Sequence, residues 1–184
     1  MAIALERSGH RFLWSLRQPP AKDSVGTTSD YTNIKKVLPD GFLERVKERG
    51  IVCGWAPQSE VLAHGAVQGF VSHCGWNSIL ESLWYDAPIA TWPLNAEQQL
   101  NAFLLVRELE LAVELSLSYR SSVSELVMAD QIERAIYSLM DDLNPVRKNV
   151  KDISEKGRNA MIKEGSSFGT LEKLVQDMVT KHGE

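Results

Sequence analysis

Apolar and polar positions change rhythm several times along the chain, and each change marks an element. Residues 2–9 set Ile3 and Leu5 beside Glu6 and Arg7 and end on Gly9, the pattern of an amphipathic helix with a glycine stop. Arg11 to Leu16 reads as a strand. Gln18 to Asn33, rich in Pro, Gly, Ser, Thr and Asp, reads as a loop. Pro39 to Arg49 predicts a short helix closed by Gly50, and Ile51 to Gly54 a short strand. A regular alternation follows. Helices are expected over Ser59–Ala63, Trp76–Trp84 and Glu97–Glu108, and strands over Val67–Ser72, Pro88–Pro93 and Leu111–Leu117. Strands alternating with helices predict an α/β class: a Rossmann-like parallel sheet with helices on both faces.

The rhythm then becomes helical throughout. Asp130-Gln131-Ile132-Glu133 has a capping-box arrangement, with Ile132, Ile136 and Leu139 following at helical spacing. Pro145 punctuates, Val146 to Glu164 continues as a helix, and Gly165 stops it. Ser166 to Gly169 reads as a break before a last amphipathic helix marked by Leu171, Leu174, Val175 and Met178. One irregularity stands at the start. A doubly wound sheet ordinarily opens with a central strand, yet here a helix comes first. The expectation is therefore a single domain over residues 1–184 whose sheet lacks its first strand and which ends in C-terminal helices.

Composition narrows the class. An apolar content of 43% over 184 residues supports a real core, and a net charge of -4 argues against nucleic acid as a partner. No apolar run reaches membrane-spanning length. Charge at Glu6 and Arg7 comes too early for a secretory signal. Two cysteines, Cys53 and Cys74, are too few for a disulfide framework. The expected location is cytoplasmic, with reduced thiols.

In open parallel sheets, ligands bind at the carboxyl ends of strands, where helix N-termini point. Two such corners stand out. At the first, the strand to Ser72 turns through His73, Cys74 and Gly75 into a helix whose first turn carries Asn77 and Ser78, a place that favours an anion. Glu81 lies on the same helical face as Asn77 and Ser78. At the second, Glu97 and Gln98 open a helix. A carboxylate beside a carboxamide suits a polyhydroxylated ligand. Trp55, after the strand ending at Gly54, offers a flat face for a base. Together these features fit a phosphorylated sugar, and other phosphometabolites also fit.

His73 at a helix N-terminus reads better as an anion ligand than as a base. His64 reads as a packed or capping residue. His64, His73 and Cys74 match no zinc spacing. Cys74 reads as a small buried filler, and Trp14, Trp84 and Trp92 as core.

Trp55-Ala56-Pro57-Gln58, Leu62-Ala63-His64, Gly69 to Ser78, Glu81-Ser82, Pro88, Trp92-Pro93 and Glu97-Gln98 together resemble the plant secondary product glycosyltransferase signature, along its whole length and without a gap. Phe12-Leu13-Trp14, Leu38 to Phe42 and Gly165-Ser166-Ser167 also look like these enzymes, so the resemblance covers essentially the whole chain. Its flanks look most like flavonoid and small-phenol glucosyltransferases.

The resemblance implies the C-terminal, UDP-sugar-binding half of a GT-B fold. It implies that Trp55 stacks on uracil and the Ala56 backbone pairs with the base edge. Gln58 and Glu81 would hold the ribose, Asn77 and Ser78 the α-phosphate, and His73 the β-phosphate. Gly75 lies in the same turn, and Trp76, Glu97 and Gln98 would bind the sugar. UDP-glucose is the implied donor and a small phenol the acceptor, with no metal and no separate cofactor. The catalytic His and the Asp that orients it belong, in such enzymes, to an N-terminal acceptor domain with no counterpart in this sequence. Gly65, Gln68 and Asn95 depart from common residues of the signature, away from the implied contacts. The rival expectation is a truncated, inactive product that binds nucleotide or protein, with self-association through an exposed sheet edge.

Overall fold

The computed structural model describes residues 1–19, 28–95, 97–117 and 126–181. It opens with α1 (Ala2–Ser8), closed by Gly9 in the left-handed conformation as the glycine stop predicts. β1 (Phe12–Ser15) follows, then two short strands, β2 (Arg17–Gln18) and β3 (Ser29–Asp30). After α2 (Phe42–Val46) come β4 (Gly50–Cys53), α3 (Gln58–Leu62), β5 (Phe70–Ser72), α4 (Trp76–Trp84) and β6 (Ile89–Thr91). Next is α5 (Gln98–Phe103), which widens into a π-helical stretch over Leu104–Glu108 and leads to β7 (Ala112–Glu114). Three helices complete the order: α6 (Ala129–Met140), α7 (Pro145–Met161) and α8 (Ser166–Lys181).

β1 pairs with β4 in parallel, and β5, β6 and β7 form a second parallel sheet in that order. Among the described residues no strand precedes α1, and β1 and β5 each have one parallel neighbour. Successive side chains of a strand point to opposite faces, and the register turns this into two rows. Phe70, Ile89 and Ala112 lie level on one face, and Val71, Ala90 and Val113 on the other. The first row packs on Ile79, Ala102, Leu105 and Val150 of α4, α5 with its π-helical extension, and α7. The second packs on Ala4 and Leu5 of α1 and on Ile132, Ala135, Ile136 and Leu139 of α6. Helices therefore cover both faces of this sheet, which is the predicted α/β architecture. Under β1 and β4 a third cluster joins Phe42 and Val46 of α2 to Phe12, Trp14 and Val52.

The strands are shorter than the apolar runs that predict them, because buried positions such as Leu111 and Leu115 continue past the hydrogen-bonded ladder. Four other expectations are corrected. Gly50 opens β4 instead of closing a helix, and the Phe12 ring lies against it where a Cβ would stand. The predicted loop at Gln18–Asn33 takes in the last residue of β2 and all of β3, which pair antiparallel; its residues 20–27 lie outside the described residues. The cap of α6 is made by Gln131, whose side chain accepts from the Met128 N–H at 2.8 Å, while Asp130 pairs with Arg7. Ser166 to Gly169 is the first turn of α8, held by the Gly169 N–H donating to the Gly165 carbonyl, instead of a break.

Arg49 ties the start of the chain together. Its guanidinium donates to the carbonyls of Leu5, Glu6 and His10, so it satisfies carbonyls left open at the end of α1. Among the described residues no helix is long and apolar enough to cross a membrane. The apolar stripe of α8, Leu171, Leu174, Val175 and Met178, is exposed.

This packing makes a simple contrast testable. Ile132 is fully buried and Leu174 is half exposed. Ile132→Ala is expected to cost about 2–5 kcal/mol and Leu174→Ala no more than about 0.5 kcal/mol in urea denaturation of the isolated chain. Equal losses at both positions would contradict the assignment of the core.

Candidate functional site

The carboxyl ends of β5 and β6 stand side by side because Ser72 is level with Thr91 and the Trp92 N–H donates to the Ser72 carbonyl at 2.8 Å. Both loops that leave these strands therefore open at one edge of the sheet. After β5 the chain reverses within three residues. Cys74 takes a left-handed φ of 63°, an uncommon conformation for a residue with a side chain. Three bonds hold it there. The Cys74 N–H donates to Ser72 Oγ at 3.1 Å, its thiol contacts the Ser72 carbonyl, and Asn101 Nδ2 of α5 donates to its carbonyl at 3.0 Å. Strain held in this way is typical of ligand clamps. The His73 imidazole folds back over Gly75, where a Cβ would meet Nε2 unless the ring shifted.

Gly75 is the N-cap of α4, and no side chain caps it. The helix's own ladder begins with the Ile79 N–H donating to the Gly75 carbonyl. The first-turn amides of Trp76, Asn77 and Ser78 thus stand at the positive end of the helix without a backbone partner. His73, Trp76 and Asn77 are exposed around them, Trp76 at 58%.

Gln58, the first residue of α3, joins this corner to the loop after β4. Its Nε2 donates to Ser78 Oγ at 3.0 Å and to Glu81 Oε2 at 2.7 Å. Three of the sequence-predicted residues are therefore one hydrogen-bonded group. Ser78 is buried with its hydroxyl engaged by Gln58, so what it offers at the edge is its backbone. Trp55 and Ala56 precede Gln58, and Trp55 is 66% exposed.

At the second corner, Gln98 turns back on its own loop. Its Oε1 accepts from the Leu94 N–H at 3.0 Å and the Asn95 N–H at 2.9 Å, which leaves the amide Nε2 as the outward donor. Glu97 is the exposed N-cap of α5. Asn95, a departure from the signature, contributes only its backbone to these bonds.

Cys74 is a buried filler, as expected, and burial pushes its thiol up to about 11, against a lesser opposing effect of a backbone hydrogen bond at Trp92. His64 caps its own turn, accepting the Ala66 N–H at Nδ1. Trp14 and Trp92 pack against buried clusters, but Trp84 does not belong to the core. It is 41% exposed, and its carbonyl receives Arg158 and Ser154 of α7. Among the described residues no three His, Cys, Asp or Glu side chains are grouped as a metal site would need. A cavity of about 490 Å³ lies elsewhere, beside β7, α6 and the start of α7, and is lined by residues such as Glu114, Arg134 and Asn144. None of the sequence-predicted ligands lines it.

Sequence reasoning missed the second layer of this site. Asn101, which pins the Cys74 carbonyl, is 27 positions away. Ser15 and Asp30, which bond the Gly54–Trp55 peptide, are 39 and 25 positions away. No local pattern announces contacts of that range.

An open parallel α/β sheet with its polar residues gathered at the carboxyl edge is the architecture of a nucleotide-binding domain. The chain belongs to the UDP-glucoronosyl and UDP-glucosyl transferase family, whose profile matches residues 1–156. It is 55% identical over 177 residues to anthocyanidin 3-O-glucosyltransferase 2 of Manihot esculenta, covering 96% of this chain and 51% of that protein. A UGT transferase from Siraitia grosvenorii, solved with UDP, superposes with a TM-score of 0.88 at 53% identity, covering 97% of this chain and 38% of that one. Medicago truncatula UGT71G1, solved with UDP-glucose, gives 0.82 at 48% identity, covering 96% and 35%. The fold is thus that of the plant GT-B glycosyltransferases, and the chain spans about half or less of the length of these relatives.

The protection of Cys74 is directly measurable. Its thiolate forms only near pH 11, whereas Cys53 is half-buried. A thiol reagent at pH 8 is expected to label Cys53 in the native chain and Cys74 only after unfolding. Rapid native labelling of Cys74 would contradict the closed turn.

Proposed function

We propose that this chain is the donor-binding domain of a UDP-glucosyltransferase, and that the whole enzyme moves glucose from UDP-glucose to a hydroxyl of a small phenol such as a flavonoid. The carrying observation is the bonded group Gln58–Ser78–Glu81 beside the uncapped first turn of α4. It sets hydroxyl-binding side chains next to amides suited to a diphosphate. The names of similar proteins support this reading. One is a glucosyltransferase of anthocyanidins, another is called a UDP-glucose flavonoid 3-O-glucosyltransferase, and solved neighbours hold UDP and UDP-glucose.

In this reading Trp55 stacks on uracil and the Ala56 backbone meets the base edge. Gln58 and Glu81 divide the work on the ribose, and the bond between them fixes both. The amides of Asn77 and Ser78 and the side chain of Asn77 face the α-phosphate, and His73 faces the β-phosphate. Trp76, Glu97 and the Gln98 amide meet the sugar. The acceptor oxygen attacks C1 of glucose from the side opposite UDP, and the bond from C1 to the diphosphate oxygen breaks, so the anomeric centre inverts. Charge growing on UDP is met by fixed helix amides and by His73, a role that elsewhere falls to a metal ion. A second domain supplies the acceptor pocket and the base that takes the acceptor's proton. The reaction belongs to the cytoplasm.

Calorimetric titration of UDP and UDP-glucose into the chain tests this. Trp55→Ala and Asn77→Ala are each expected to weaken UDP about tenfold, as loss of one stacking or charge-assisted contact does. Unchanged affinity in both would sink the assigned site. Turnover of UDP-glucose with a panel of phenols by the purified chain alone is expected to be negligible, and measurable transfer would refute the need for a second domain.

A further inference from the structure

One peptide group in the chain is held at both ends by side chains from elsewhere. The carbonyl of Gly54 accepts from Ser15 Oγ of β1 at 2.7 Å, and the N–H of the same peptide, that of Trp55, donates to Asp30 Oδ1 of β3 at 3.0 Å. The Asp30 carboxylate comes so close that a Cβ on Gly54 would overlap it. A side chain at position 54 would have to displace that carboxylate. Asp30 is itself placed by Arg17, directly opposite in the β2–β3 pairing. Arg17 Nε lies 2.9 Å from Oδ1 without hydrogen-bond alignment, and its Nη2 donates to the Thr28 carbonyl. Backbone bonds bring β1 into position as well, because the Leu16 N–H donates to the Cys53 carbonyl at 2.8 Å.

An exposed ring has little packing to hold it, and Trp55 is 66% exposed. Its direction is then set by the backbone that carries it. Fixing the Gly54–Trp55 peptide plane fixes the N–Cα axis that carries the Trp55 side chain, so only rotations about that axis and within the side chain are left to aim the ring. We infer that Ser15 and Asp30 are positioning residues that aim the Trp55 platform, so that β2 and β3 serve the base-binding end of the site. The inference rests on the reading of Trp55 as the uracil platform. Ser15 and Asp30 each act through the peptide they hold.

The test titrates UDP and inorganic pyrophosphate into the wild-type chain and into Ser15→Ala, Asp30→Ala, Asp30→Asn and Trp55→Ala, with thermal midpoints measured alongside. Ser15→Ala and Asp30→Ala are each expected to weaken UDP about five-fold and to leave pyrophosphate within about two-fold, since one neutral or charge-assisted hydrogen bond to the platform is lost. Asp30→Asn keeps an acceptor oxygen for the Trp55 N–H and is expected to stay within about two-fold of wild type. Parallel loss of pyrophosphate binding would overturn the inference, because a damaged fold would explain it. So would a loss in Asp30→Asn equal to that in Asp30→Ala. Unchanged UDP affinity in Ser15→Ala and Asp30→Ala, with Trp55→Ala impaired, would overturn the inference and leave the site reading standing. Unchanged affinity in Trp55→Ala would remove both.

Discussion

The parallel register of β5 with β6 is the constraint on which the site depends. Setting Ser72 level with Thr91 brings two strand ends to one edge and aims α4 and α5 at the same region. A slip of one residue would reverse every side chain of the strand. Phe70 would leave the cluster that holds Ile79 and Val150, and Val71 would leave the one that holds Leu5 and Ile132. The apolar rows on the two faces thus lock the register, and the register places the polar residues. Core and site are two consequences of one alignment.

Around that alignment the structure fixes groups by short polar links instead of enclosing them. Asn101 reaches from α5 to the carbonyl of the strained Cys74. Gln58 reaches from α3 to Ser78 and Glu81 of α4. Ser15 and Asp30 reach from β1 and β3 to the Gly54–Trp55 peptide. Each link crosses between elements and ends on a residue beside the corner. His73, Trp76, Asn77 and Trp55, the residues proposed to face the ligand, stay exposed.

Much of this was legible in the sequence. The alternation of strands and helices came through because buried strands here are short apolar runs between polar turns, and α4 starts and ends where its pattern does. Strand ends were overestimated because burial outlasts pairing. Ser166 to Gly169 was read as a break because Ser and Gly are poor helix formers, yet the chain remains helical once its backbone bonds are formed. The layout of the candidate site was readable from position: a turn after a strand, then polar residues in a helix's first turn. The supports were not, since Ser15, Asp30 and Asn101 act on residues 25 to 39 positions away. Trp84 misled because tryptophan is usually more buried than it is here.

The central claim is that a UDP-sugar is held at the edge formed by Trp55, Gln58 and the first turn of α4, and not in the cavity lined by Arg134 and Asn144. Amide and indole chemical shifts recorded while UDP is titrated into the labelled chain test it most directly. The account predicts that the amides of Trp76, Asn77 and Ser78 and the indole of Trp55 move together with one dissociation constant, while Arg134 and Asn144 stay still. Movement confined to Arg134 and Asn144, with the α4 amides unmoved, would contradict it.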